Sequence, residues 1–136
     1  MRKRTRGREI ALQMLYQADA RGEEAMEGAA EFLDRESEGD AEVRAFAEQL
    51  VNGTLAAKPE IDAILSAAAQ NWQVRRMALV DRNILRMAVF EMTRLPDIPS
   101  KVSINEAIEL GKRYSTQQSG AFINGILDRI RREKGL

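Results

Sequence analysis

Apolar residues recur at intervals of three and four along almost the whole chain, and this spacing constrains the fold more than any other feature. The clearest run is Val80, Ile84, Leu85, Ala88 and Met92. A repeat near 3.6 residues is that of an amphipathic helix, and no sustained two-residue alternation rich in Val, Ile and Thr competes with it. The sequence therefore predicts an all-α protein.

Prolines and polar turns divide this pattern into about seven helices, because each proline disfavours helix in the residue before it. The segment around Trp72 is predicted to be a connector between helices. The predicted helices cover about 4–20, 24–36, a stretch after the turn at 37–40 that runs through residue 55, a short helix from Pro59, 77–94, a helix capped at 103, and a last one that begins near 119.

Two helices carry more detailed expectations. The sequence SINE at 103–106 has the spacing of a capping box, in which Ser103 and Glu106 exchange hydrogen bonds across a helix start. In the helix over 77–94, Asn83 and Arg86 lie opposite the apolar face together with Arg82 and Arg94. We therefore expect a helix start at residue 103 and a polar side on the helix before it.

The composition excludes several classes of function. The chain has 136 residues, enough for one domain or two very small subdomains, and contains neither Cys nor His. Disulfides, thiol nucleophiles, imidazole relays and most zinc sites are therefore excluded, and no carboxylate pair stands out for acid–base chemistry. We expect no enzyme activity, no cofactor, no metal and no membrane segment, and a cytoplasmic location.

The formal net charge is zero, but the charges are unevenly distributed. Residues 1–22 carry a net charge of +4, residues 23–62 carry −9, and residues 63–136 carry +5. A polyanion should therefore bind the first helix and the C-terminal half rather than the acidic middle.

The strongest local signal is the basic start of the chain. Arg offers a planar fork to phosphate, and Arg4 and Arg8 share a helical face if the helix extends back that far. Tyr16, two turns beyond Arg8, could add a stacking surface for an unpaired base. The alternative is a solvated terminus with Tyr16 at the edge of the core. The basic residues are Arg2, Lys3, Arg4, Arg6 and Arg8.

The second signal is SGAFINGILDRI at 119–130. Phe122 lies in the first turn of a predicted helix, at the edge of its apolar stripe, where a half-exposed ring could meet a base or a partner. Asn124 lies off that stripe, and the helix start offers backbone N–H groups to an anion. The alternatives are a core role for Phe122 and a capping role for Gln118 and Ser119.

Four stretches together resemble the NusB family of bacterial transcription antitermination factors: RGREIALQMLYQAD (6–19), VDRNILRMAVFEM (80–92), IPSKVSINEAIELGKRYS (98–115) and SGAFINGILDRI (119–130). The match extends from about residue 2 to 132 and is weak in the acidic middle. The resemblance implies an all-α, NusB-like fold of about seven helices in two small packed bundles. Residues 1–136 would form a single NusB domain, with a three-helix bundle over about 4–58 and a C-terminal bundle over about 59–134.

The resemblance also implies a function without catalysis. Such proteins bind the single-stranded boxA element of nascent RNA together with NusE, a small-subunit ribosomal protein. They then join the elongating RNA polymerase complex, notably on ribosomal RNA operons. Relatives often have a basic residue where this chain has Ala121, and Gln118 in place of an acid removes a repulsion with phosphate. The RNA-binding residues that the resemblance implies are Arg2, Lys3, Arg4, Arg6, Arg8, Tyr16, Gln118, Phe122 and Asn124.

Two other functions stay open from the sequence. Some ribosomal RNA methyltransferases carry a NusB-like module that targets RNA, although they also contain a Gly-rich cofactor loop that this sequence lacks. A protein-interaction scaffold without RNA binding is the other reading. Members of the family occur as monomers and as homodimers, and the sequence favours neither state.

Overall fold

The computed structural model describes residues 2–136, which form seven α-helices and two short 3₁₀ turns without a strand. The all-α prediction with about seven helices is confirmed. No helix in this range is long and apolar enough to cross a bilayer. The chain divides into two compact units, residues 1–56 and 57–136. The helices are α1 (Lys3–Arg21), α2 (Ala29–Glu36), α3 (Ala41–Ala56), α4 (Lys58–Ala68), α5 (Leu79–Arg94), α6 (Ser100–Tyr114) and α7 (Gln117–Lys134).

In the first unit, α1 packs mainly against α3. The fully buried Ile10, Leu15 and Leu50 belong to these two helices. Gly7 permits a close approach, because a Cβ atom at this position would lie 2.8 Å from Cδ2 of the Phe46 ring. The ring of Phe46 therefore lies directly against the backbone of α1 near its basic start.

The acidic segment of the first unit differs from the prediction. We expected one helix over 24–36, but a 3₁₀ turn covers Gly22–Met26 and α2 begins only at Ala29. Gly22 and Gly28 both adopt positive φ, at 78° and 77°, which interrupts the helical path. Glycine adopts this conformation without the steric cost that a Cβ atom imposes, so the break is encoded locally.

In the second unit, α6 packs against both α5 and α7. A Cβ atom at Gly111 of α6 would lie 2.7 Å from Cδ1 of Ile123, which is fully buried on α7. Glycine at residue 111 therefore allows α6 and α7 to approach closely, and this contact fixes the inner face of α7. The outer face of the same helix is left to carry polar residues.

The middle of the polar side of α5 is not open to solvent, because every residue from 83 to 92 is buried; Arg82 is half-buried and Arg94 is exposed. Arg86 is 6% exposed, and its Nε and Nη2 atoms donate to the two carboxylate oxygens of Asp62 at 2.8 and 3.0 Å. The Asn83 amide donates to the carbonyl oxygen of Leu79 at 2.8 Å. Partners supplied by the fold thus allow polar side chains to be buried where a helical pattern alone would leave them in water.

Candidate nucleic-acid interface

The basic start of the chain is helical from its third residue, since α1 begins at Lys3 and Arg2 is its extended N-cap. Cations near a helix N-terminus are disfavoured by the helix dipole, so their position needs compensating charges. Lys3 receives these from Asp40 and Glu42, whose carboxylate oxygens lie 3.3 and 3.5 Å from its Nζ. The hydrogen bond and charge of Asp40 raise the pKa of Lys3 above its usual value.

Asp40 also holds the start of α3. Its Oδ1 accepts hydrogen bonds from the backbone N–H groups of Glu42 and Val43 at 3.0 and 3.2 Å, as an N-cap does. The bond from Val43, followed by the bond and charge of Lys3, holds the pKa of Asp40 below its usual range. One carboxylate thus caps α3 and anchors the first residue of α1.

Arg6 is also paired within the first unit. Its Nη2 lies 3.0 Å from Oε1 of Glu36 and donates to the Glu36 carbonyl oxygen at 3.4 Å, while Nη1 lies 3.4 Å from Oε1 of Glu9. Lys3 and Arg6 therefore each hold carboxylate partners before any nucleic acid is present.

Arg4 and Arg8 lie over the same aromatic ring, as their four-residue spacing predicts. Their guanidinium carbons lie 4.8 and 5.3 Å from the centroid of the Phe46 ring, within cation–π range. The two residues differ in accessibility, because Arg4 is exposed whereas Arg8 is 2% exposed. Arg4 can present its charge to a phosphate, and the burial of Arg8 favours a packing role. Tyr16, further along α1, is half-buried.

The start of α7, at Gln117 rather than near residue 119, is set by a capping box, whereas the box predicted for the preceding helix is absent. Thr116 is the N-cap of α7, and the Thr116 and Ser119 side chains each bond the other residue's backbone. The predicted box at Ser103 and Glu106 is wrong, because α6 already begins at Ser100 and has no side-chain cap. Ser103 is buried inside α6 and donates to Oε1 of Glu91 at 2.9 Å.

The predicted RNA-contacting residues of α7 lie on its solvent-facing side. Gln118 and Asn124 are exposed and Phe122 is half-buried, whereas Ser119 and Ile123 face the interior. No residue between 117 and 127 is charged. The outer face of this half of α7 is therefore an open, neutral surface of amides, small residues and one aromatic ring.

One neighbour of this surface was not predicted from the sequence. Trp72 lies in the predicted connector and is 57% exposed. Its ring packs edge-on against Phe122, with the two centroids 5.4 Å apart and the ring planes at 76°. The available signal was a single tryptophan in the polar turn QNWQ, a residue type that usually prefers burial.

The fold and these surfaces define an all-helical protein of two small units, with a basic first helix and an aromatic pair at the start of the last one. The model of the NusB family matches residues 5–132, and the chain belongs to the NusB family. The resemblance found in the sequence is thereby confirmed.

Relatives and solved structures agree with this assignment. The transcription antitermination protein NusB of Desulforapulum autotrophicum is 50% identical over 129 residues, which cover 94% of this chain and 90% of that protein. T. maritima NusB is similar in structure, with a TM-score of 0.86, 38% identity, and coverage of 96% of this chain and 91% of that one. A crystal structure of the antitermination factors NusB and NusE in complex with double-stranded RNA gives a TM-score of 0.87 at 28% identity, covering 98% of both chains.

Proposed function

We propose that this protein is a non-enzymatic transcription antitermination factor that binds the boxA element of nascent RNA together with NusE. Support comes from its membership of the NusB family and from the relative that is 50% identical over nearly its whole length. The protein would act in the cytoplasm, where it would join the elongating RNA polymerase complex, notably on ribosomal RNA operons.

The observation that carries the proposal is the open, uncharged outer face of α7. Gln118 and Phe122, four residues apart, are neighbours on it, and Asn124 is exposed at its other edge. No carboxylate among residues 117–127 would repel a phosphate backbone. Amides can read the edges of unpaired bases, and a half-exposed ring can stack on one of them. This face has the chemistry that single-stranded RNA requires.

The basic start of α1 would supply the electrostatic part of binding. Arg2, Lys3 and Arg4 are exposed, and Lys3 and Arg6 have carboxylate partners. Each phosphate contact with a single strand adds about 0.7 to the slope of log affinity against log salt. Replacing Arg2 and Arg4 together by Gln should therefore lower that slope by about 1.4.

The test is fluorescence anisotropy with a labelled single-stranded boxA RNA and a scrambled RNA of the same composition. Each is titrated with the protein, with and without NusE, at two salt concentrations. We expect preference for boxA, tighter binding with NusE, and weaker binding at higher salt. Sedimentation velocity accompanies the titrations, because a homodimer that covered the basic helix start would compete with RNA.

A matched pair of variants separates stacking from general packing. Phe122→Ala should weaken boxA binding more than scrambled binding, whereas Phe32→Ala removes a similarly half-buried ring from α2 and should leave RNA binding unchanged. Equal losses for both RNAs would assign Phe122 to packing. No RNA binding by the folded protein, even with NusE present, would overturn the proposal and leave the scaffold interpretation.

A further inference from the structure

The second unit contains a groove beside the outer face of α7. Its volume is about 720 Å³, within the range of small-ligand clefts, and Trp72 lies in its wall. The backbone N–H of Trp72 donates to the carbonyl oxygen of Ala69 at 3.0 Å, which ties the residue to the end of α4. The indole ring thus projects from a fixed turn, with more than half of its surface in solvent.

The indole of Trp72 has hydrogen-bonding capacity that the protein leaves unused. Its N–H donates to no acceptor among residues 2–136. The Phe122 ring packs edge-on against the indole, with the two ring centroids 5.4 Å apart. A fixed, braced and exposed aromatic ring with an available donor is suited to a planar ligand that also carries acceptors.

The groove carries more positive than negative charge. Arg75, Arg82 and Arg86 line it together with one carboxylate, that of Asp62, which Arg86 already neutralises. Arg75 is exposed, and its Nε donates to the neutral amide oxygen of Gln73 at 2.9 Å. Arg82 donates to the Arg75 carbonyl oxygen at 3.0 Å, which holds this turn in place. The excess positive charge suits an anionic ligand.

We propose that this groove binds a nucleotide of single-stranded RNA, with its base stacked on Trp72 and its phosphate near Arg75. This inference rests on the proposed function and extends it, because Trp72 adjoins Phe122 and would take a base beside the one that Phe122 meets. A base supplies the planar face, its edge or phosphate supplies an acceptor for the indole N–H, and the phosphate matches the guanidinium groups. An acidic peptide would satisfy the charges but would leave the exposed indole face without a planar partner.

The chain itself provides the probe, because Trp72 is its only tryptophan. Emission of the full-length protein, excited at the long-wavelength edge where tryptophan absorbs and tyrosine does not, therefore reports on this groove. We expect boxA RNA to quench the emission with the same midpoint as the anisotropy titration. Inorganic polyphosphate, a polyanion without bases, should compete with RNA for binding and leave the emission unchanged.

Three substitutions at Trp72 test stacking separately from bulk. Trp72→Ala and Trp72→Leu should weaken RNA binding about five- to 150-fold, the range for loss of one stacked base, whereas Trp72→Phe should stay close to wild type. Circular dichroism checks that each variant keeps its helical content. Arg75→Gln should lower the salt slope by about 0.7. Arg94→Gln, which removes an exposed charge two turns beyond Arg86 on α5, should leave the slope unchanged.

The outcomes separate this inference from the function on which it rests. RNA binding without quenching, or quenching by polyphosphate equal to that by RNA, would overturn the inference and leave the RNA-binding proposal intact. Weakened NusE binding by Trp72→Ala at unchanged RNA affinity would assign the groove to a protein and also overturn it. An absence of RNA binding by anisotropy would overturn both.

Discussion

A lysine in place of Ala121 should convert the neutral face of α7 into a tighter RNA-binding surface. Ala121 is exposed and directly precedes Phe122. A side chain built at Gly125, one turn further along, would meet no heavy atom within 4 Å, so this part of the surface has room. The residues three and four positions away, which could pair with a new lysine, are all uncharged: Gln117, Gln118, Asn124 and Gly125.

The size of the effect follows from counterion release. One additional phosphate contact should increase the slope of log affinity against log salt by about 0.7. The affinity gain of the variant over the wild type should then be about fivefold larger at 0.1 M salt than at 1 M salt. Stability should change by less than about 0.5 kcal/mol, because the site is exposed and lysine is a good helix former. The gain should therefore appear in binding and leave the unfolding midpoint nearly unchanged.

The assay compares Ala121→Lys with Ala63→Lys by anisotropy over a series of salt concentrations. Ala63 is exposed on α4, so its substitution adds the same charge to the same unit at a different place. We expect a steeper slope for Ala121→Lys alone. An unchanged slope for Ala121→Lys would contradict the placement of RNA phosphates at α7. Equal gains in slope for both variants would mean that the effect comes from net charge and not from the position of the lysine.

Three further predictions concern two residues that stabilise the fold, Asp40 and Ser103, and the exposed amide of Gln118. The pKa of Asp40 is lower in the folded protein than in the unfolded chain, so its ionised form stabilises the fold above the unfolded pKa near 4. That stabilisation is lost as the pH falls through the folded pKa. Asp40→Asn should therefore lower the melting temperature at pH 7 and much less at pH 3. Ser103→Ala removes a buried donor to Glu91 and should cost about 1.5–3 kcal/mol in urea unfolding, so a loss below 0.5 kcal/mol would contradict that reading. Gln118→Glu should weaken boxA binding by repulsion with phosphate, and the loss should shrink as salt is raised; unchanged affinity at low salt would count against a phosphate near this residue.

The helical period was enough to predict the fold class and most helices, because burial of one apolar face dominates helix formation in a protein. Helix ends were less predictable. The SINE sequence has the spacing of a cap, yet Ser103 lies in the first turns of α6 because Pro99 already provides a start at Ser100. Competing start signals a few residues apart cannot be ranked from sequence alone.

The site was predicted unevenly because local patterns do not reveal distant partners. The spacing of Arg4 and Arg8 indicated a shared face, but the ring that receives both belongs to Phe46, about forty residues away in the chain. The same ring packs against the buried Arg8. Trp72 was predicted only as part of a connector, since its contact with Phe122 joins residues fifty positions apart.

The carboxylates that hold the first turns of α1 have a consequence for selectivity. Lys3 is already paired with Asp40 and Glu42, and Arg6 with Glu36. A polyanion that binds these two cations must displace carboxylates of the same chain, which are present at high effective concentration. A chain of phosphates alone gains little from that exchange. Background association with bulk cellular RNA would thereby be suppressed. RNA binding would depend on bases that also stack on Phe122 and Trp72.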